Sequence, residues 1–515
     1  MRVRFVAMLV VALYAIPAGV SRGAAQVSDD DLSMLGLVFR NRFVPFAEAR
    51  RSAELTSIVL RVSELGRDGD RVERYKAMIE GMARMSLGSW DEGAEVASIL
   101  DVDLSAKAYE PGARVPVRIA PLYERSQALM AGYSIQLALI APGGAEVYAA
   151  DPIPFDALAV MAGEVVVPRD AGPGRYLVRY SMSRAGAAEP IVSTGRSIYV
   201  IEALEERLSS LQFENQRAAN RRGARTQSMA LARTTVLWYL DQFERARSEW
   251  MAGAYMGYPV ILNAMFEAGT LMVEPMDFGA DLEQAEQFVS ALSRGRDPLR
   301  SAQGDLRLAY RSGADRELVP FRILVPDGYS PREQYPFVLA LHGAQGDENT
   351  FMDSFGGTFK ANASERGYIA ASVNGRGPYG GYRGDSARDV LDVLDLVQRV
   401  YSVDDHRTYL TGHSMGGAGT VRLGFENAER FAALAAVAGY GSAEDLAKAP
   451  EMPLFLGQGA LDALVPVESA RAFHQMAQEL GMPSLEYVEN PGSDHVAIVA
   501  AVMAQVFDWF DDHSR

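Results

Sequence analysis

Ser414 lies in Gly412-His413-Ser414-Met415-Gly416, a serine with glycine two residues away on either side. The stretch Arg407 to Thr411 before it reads as a strand, and the run from Ala418 after it is compatible with a helix. A chain that turns this sharply from strand to helix brings neighbouring backbone against both flanking positions. Side chains would collide there, so glycine is required and the serine hydroxyl is left at the tip of the turn. A serine hydroxyl is a poor nucleophile at neutral pH; it requires a base, and the base requires a carboxylate to orient it. Both lie downstream. Asp462 is on the loop after the apolar strand Pro453 to Gly457, and His495 is on the last loop, after the strand Leu485 to Val488 and before a long apolar helix ending near Phe510. The order is Ser414, Asp462, His495, with spacings of 48 and 33 residues. In these roles Ser414 attacks a carbonyl carbon, His495 carries the proton and Asp462 orients the imidazole. Asp494 is the competing acid, disfavoured because adjacent residues on one loop rarely point at each other.

Acyl transfer also needs donors for the charge that develops on the former carbonyl oxygen. The turn itself supplies the N–H of Met415. The strand Phe337 to Leu341 runs into His342-Gly343-Ala344-Gln345-Gly346, and the N–H of Ala344, with Gln345 second, is the expected partner donor. His413 is expected to be buried against a sheet, His342 to order its loop, and His406, His474 and His513 to lie at the surface. After the strand Tyr368 to Val373, the loop Asn374 to Gly384 holds five glycines together with Arg376, Tyr379 and Tyr382. Two readings stand side by side. The loop lines the site, its tyrosines stacking on an aromatic acyl group or a sugar and its arginines meeting an acidic substrate; or it is a structural turn whose glycines let it pass close to Ser414. A helix capped by Asp385 or Ser386 follows, with Val390, Val393, Leu394 and Val397 as its buried stripe and Asp392 and Asp395 facing solvent.

Taken together, the His342-Gly343 loop, the stretch Gly384 to Val390, the turn around Ser414 and the Asp462 and His495 loops resemble the α/β-hydrolase superfamily over residues 304–515. The resemblance points to exported serine esterases related to feruloyl esterases and polyhydroxybutyrate depolymerases, and to the catalytic domain of prolyl-oligopeptidase-type peptidases. His413-Ser414-Met415-Gly416-Gly417 is also similar to cutinases and polyester hydrolases, which generally lack the His-Gly loop. The resemblance implies a mostly parallel, doubly wound sheet, a serine ester hydrolase acting through Ser414, Asp462 and His495, and no metal or organic cofactor. Two rivals are a prolyl-oligopeptidase-like peptidase, although no propeller-like repeat precedes Gly304, and a polymer-binding protein with a vestigial hydrolase domain. The connection between the strand Phe431 to Gly439 and the strand at Pro453 leaves no room for a helical cap. That predicts a site open from that side, suited to a bulky or polymeric ester, while the loop tyrosines would suit an aromatic one.

The residues ahead of Gly304 divide by texture. Residues 1–25 have the basic start, the apolar run Phe5 to Ile16 and the small residues Gly23-Ala24-Ala25 of a secretory signal, too short for a membrane anchor, so export to periplasm or medium is expected. Residues 26–101 carry helical periodicity. Residues 102–202 alternate apolar and polar with period two between turn signals such as Gly172-Pro173-Gly174, which predicts a small β-sandwich of immunoglobulin-like pattern. Residues 203–303 return to helical texture, read as a linker region, with Arg217, Arg221, Arg222 and Arg225 on a solvated face. With 515 residues, several domains are expected. The net charge of −16 argues against nucleic acid as a partner, and the absence of cysteine excludes disulfides, a cysteine nucleophile and thiolate metal sites.

Overall fold

The computed structural model describes residues 35, 36, 39, 52–68, 71–88, 90–98, 100–104, 106–121, 132–155, 161–219, 226–248, 277–344, 346–377, 380–462 and 464–515. The expected signal segment, Arg221, Arg222, Arg225, Gln345 and Tyr379 lie outside the described residues.

Three helices open the described chain, α1 (Ala53–Asp68), α2 (Arg71–Leu87) and α3 (Glu92–Ser98), followed by nine strands: β1 (Leu100–Leu104), β2 (Ala108–Tyr109), β3 (Arg114–Pro121), β4 (Tyr133–Ile140), β5 (Glu146–Ala149), β6 (Ile153–Pro154), β7 (Met161–Val166), β8 (Gly174–Arg184) and β9 (Val192–Val200). They form a three-stranded sheet, β1-β3-β7, and a second sheet ordered β2-β9-β8-β4-β5, with β6 paired to β4. Period-two alternation sends Tyr176, Val178, Tyr180 and Met182 of β8 inward, where they meet Val117, Val165 and the helix residues Ile58, Tyr75 and Met78 in one apolar core. The first helices are therefore a layer on the two sheets.

Next come α4 (Leu204–Ala219), α5 (Gln227–Ser248) and α6 (Phe278–Ser293), and then the C-terminal sheet. Its strands are β10 (Gly304–Arg311), β11 (Leu318–Val325), β12 (Tyr335–Leu341), β13 (Ile369–Val373), β14 (Val403–His413), β15 (Ala433–Val437), β16 (Leu454–Gly459) and β17 (Leu485–Asn490). The order is β10-β11-β13-β12-β14-β15-β16-β17. The first two strands join antiparallel, and every pairing from β13 onward is parallel. The connecting helices are α7 (Thr350–Asp353), α8 (Thr358–Glu365), α9 (Asp385–Val400), α10 (Met415–Glu426), α11 (Ala443–Ala447), α12 (Val467–Glu479) and α13 (Ala497–Asp511). The fold is α/β.

The central strands read as unbroken apolar runs because both faces are covered. β12 turns Phe337, Leu339 and Leu341 toward the layer containing α9 and α10, and Val338 and Ala340 toward the layer containing α8 and α13. Val390, Val393, Leu394 and Val397 are the buried stripe of α9, although that helix starts after Gly384 and neither Asp385 nor Ser386 caps it. The segment read as a linker is instead part of this core. Tyr239 of α5 is buried, its single O–H shared between Asp281 Oδ1 (3.2 Å) and the Arg307 carbonyl (3.1 Å). Thr235 Oγ1 accepts the outward N–H of Ala309 (3.0 Å), so α5 satisfies the edge strand β10 that would otherwise be bare. Helical texture alone does not say what these helices are buried against. Among the described residues no helix is long and apolar enough to cross a membrane.

Candidate active site

The carboxyl ends of the parallel strands carry the polar residues that converge, as expected for an open α/β sheet. Ser414 occupies the turn between β14 and α10 with φ 56° and ψ −116°, a backbone region that costs a non-glycine residue about 1–3 kcal/mol. The turn is held by Ser414 N–H to the Val437 carbonyl (2.8 Å) and Ala418 N–H to the Ser414 carbonyl (3.0 Å). The glycine requirement is steric. A Cβ on Gly416 would lie 1.9 Å from the Leu341 carbonyl oxygen, and one on Gly412 would lie 2.3 Å from the Gly416 oxygen.

His495 Nε2 is 2.9 Å from Ser414 Oγ, and His495 Nδ1 is 2.7 Å from Asp462 Oδ2. Asp462 Oδ1 accepts the N–H groups of Leu464 and Val465, both at 2.8 Å, and Oδ2 also accepts the side-chain amide of Gln458 at 3.1 Å. Burial alone would raise this carboxyl, but the hydrogen bond and charge of His495 and the two backbone donors outweigh it and hold it below the usual carboxylate range. Asp494 is engaged elsewhere: its Oδ1 accepts the N–H groups of Val496 (2.9 Å) and Ala497 (2.8 Å) at the start of α13. His413 is buried. Desolvation, reinforced by the neighbouring His495, pulls it down to about 3, so it is neutral and its Nε2–H donates to the His495 carbonyl at 2.7 Å.

The His342-Gly343-Ala344 loop passes directly over the turn, because a Cβ on Gly343 would sit 3.2 Å from Ser414 Cβ. Met415 is the first residue of α10, whose N-terminal N–H groups have no partner within the helix. His342 is fully buried, with Nδ1 2.7 Å from the Gly343 carbonyl and Nε2 2.7 Å from the Asn374 carbonyl. The Asn374 side chain in turn donates to Glu348 Oε2 (2.8 Å). Glu348 is 4% exposed, and burial together with Asp347 pushes it up to about 7 against the pull of Arg307 and Asn374. A carboxyl raised from 4.5 to about 7 binds more protons in the folded than in the unfolded state, so stability falls as pH rises through that window. Glu348→Gln is expected to remove this part of the slope, so that its stability relative to the wild type rises from pH 5 to pH 8, as measured by urea denaturation across pH 4–8. Parallel curves would contradict it.

The family model described as "Putative esterase" matches residues 314–478. Over those residues the chain, folded as an α/β sheet, is therefore similar to an esterase family. A bifunctional acetylxylan esterase/xylanase of Neocallimastix patriciarum is 25% identical over 167 residues, 31% of this chain and 23% of that protein, so the chain spans about a quarter of its curated relative. Among solved structures, the fluorophosphonate-binding serine hydrolase F of Staphylococcus aureus is 18% identical, with a TM-score of 0.36 over 41% of this chain and 99% of that one. A ferulic acid esterase from Anaeromyces mucronatus is 16% identical, with a TM-score of 0.35 over 42% and 95%.

Within the Asn374–Gly384 loop, the described side chains of Arg376 and Tyr382 are engaged by the protein itself. Arg376 is turned inward against Asp315, Asp389 and Ser312, and the first two hold its guanidinium above its ordinary value. Saturated by two carboxylates, it is not available to an acidic substrate. Tyr382 is fully buried and donates to the His342 carbonyl (3.0 Å), so its ring cannot stack on a ligand. Both side chains serve the packing of the loop. Of the outlying histidines, His406 is exposed, whereas His474 is half-buried on Tyr487 and His513 is half-buried between Ser484 and the Trp509 carbonyl. Gln458 and Glu348 were missed. The signal for Gln458 was an amide inside an apolar strand, since a buried amide must find partners. Among the described residues no group of three or more His, Asp or Glu side chains is placed to hold a metal ion.

Proposed function

We propose that this protein is an exported serine hydrolase that cleaves carboxylic esters through an acyl-enzyme. The observation that carries the reading is the unbroken chain Ser414 Oγ, His495 imidazole, Asp462 carboxylate at 2.9 and 2.7 Å. His495 accepts the Ser414 proton as Oγ bonds to the acyl carbon, and the N–H groups of Met415 and Ala344 hold the oxyanion. Collapse breaks the bond to the alcohol oxygen, which takes the proton from His495. Water then attacks the acyl-enzyme with His495 again as base, which releases the acid and restores Ser414. The link between β15 and β16 holds only the five-residue α11, so that side of the site is uncapped. An open approach suits an acyl group on a bulky or polymeric alcohol, an acylated polysaccharide or a polyester, in keeping with the acetylxylan esterase relative. Export rests on the pattern of residues 1–25.

The test is covalent. One equivalent of a fluorophosphonate is expected to abolish hydrolysis of p-nitrophenyl acetate and to add a single adduct to the tryptic peptide 408–422. Full activity after labelling, or an adduct confined to another peptide, would overturn the proposal. Preferential turnover of peptide amides over aryl esters would favour the peptidase rival.

A further inference from the structure

The Asp462 carboxylate is held by a side chain that none of the steps above uses. Gln458 sits at the end of β16, fully buried, four residues before Asp462. Its Nε2 is 3.1 Å from Asp462 Oδ2, 2.8 Å from the Val465 carbonyl and 3.2 Å from the Gly459 carbonyl. All three partners only accept, so the amide orientation is fixed by chemistry, since a flipped amide would set its oxygen against three others. The amide oxygen accepts the Tyr440 hydroxyl, which comes from the loop after β15. Burial raises the Tyr440 phenol, so it stays a donor at working pH. Thus Oδ2, the oxygen that faces His495, receives a second and neutral hydrogen bond whose donor is locked from behind.

We propose that Gln458, braced by Tyr440, is a positioning residue that fixes the Asp462 carboxylate and moderates how strongly it attracts the His495 proton. This rests on the serine hydrolase reading. The other titratable groups around the pair are His413 on β14, which faces His495, and Tyr487 and Glu489 on β17, which face Tyr440. Glu489 is neutralised by Arg471 of α12, and Asp494 is tied to the α13 N–H groups. None of these donates to Oδ2. Removing the amide donor leaves a carboxylate that attracts the proton on the facing imidazole more strongly, so the acid limb of the pH–rate profile is expected to move to higher pH.

The experiment compares wild type, Gln458→Leu and Tyr440→Phe on p-nitrophenyl acetate from pH 4 to 9. For Gln458→Leu the acid limb of kcat/KM is expected to move up by about one pH unit, with kcat about tenfold lower and KM nearly unchanged. Tyr440→Phe is expected to move the limb in the same direction by less. It also serves as the deciding variant if Gln458→Leu fails to fold. A merely structural role would lower the melting temperature and leave the limb in place, and an unmoved limb in the folded variants overturns the proposal. If instead Ser414→Ala retains hydrolysis, the failure belongs to the underlying reading.

Discussion

Ser414→Ala is expected to lower kcat for p-nitrophenyl esters by roughly 10^5- to 10^6-fold while the protein stays folded, since removing the nucleophile of a serine triad costs about as much as removing the whole unit. The residual rate would come from binding and from oxyanion donors on backbone that the substitution leaves in place. The variant loses one partly exposed hydrogen bond at 2.9 Å and keeps φ 56°, so its melting temperature should stay within a few degrees of wild type. Ser414→Gly extends the argument. Glycine adopts this φ without the side-chain penalty, so the inactive variant should be more stable than the enzyme by about 1 kcal/mol. Activity and stability would then move in opposite directions at one residue, as expected where strain serves a site. Calorimetry and steady-state kinetics on the three proteins decide it. An alanine variant that keeps about a tenth of wild-type kcat would remove Ser414 from the chemistry.

Ser414 was legible in the sequence because a steric demand left its mark there. Gly412 and Gly416 face backbone at distances no side chain tolerates, and those two positions are what the motif records. Asp462 and His495 were legible because strand and helix alternate so regularly after Gly304 that each falls just past a strand end. Side-chain direction was not. Arg376 and Tyr382 both have positive φ, 62° and 51°, and a left-handed turn residue points where the local backbone sends it, here into Asp389 and under His342. Partners distant in sequence were equally hidden, because periodicity finds a helix's buried face without naming its neighbour. That is why α4 to α6 read as a linker.

Asp281→Ala tests the consequence. Asp281 of α6 is 8% exposed and pairs with Arg307 of β10, itself 6% exposed, at 2.8 Å. Burial raises this carboxyl to about 6 against the pull of Arg307, so the carboxylate prevails at pH 7. Among the described residues, Arg307 has one further partner for its head group, Asn349 Oδ1 at 2.6 Å, and its Nε has none. Removing Asp281 strands a guanidinium in the core at a cost of about 3–5 kcal/mol. The double replacement Asp281→Leu with Arg307→Met removes both charges and should recover most of that loss, because an apolar pair of similar volume is often as stable as a buried ion pair. Guanidinium denaturation of the three proteins measures both effects. If α6 were a spacer, Asp281→Ala would lie within about 0.5 kcal/mol of wild type, as surface substitutions do. A large loss would place α4 to α6 within the folding unit of the C-terminal sheet. Asn349 follows the loop of Ala344 by five residues, so the same Asp281-Arg307-Asn349 chain ties α6 to the segment that bears the proposed oxyanion donor. Catalysis should therefore weaken in Asp281→Ala through kcat, even at temperatures where the variant remains folded.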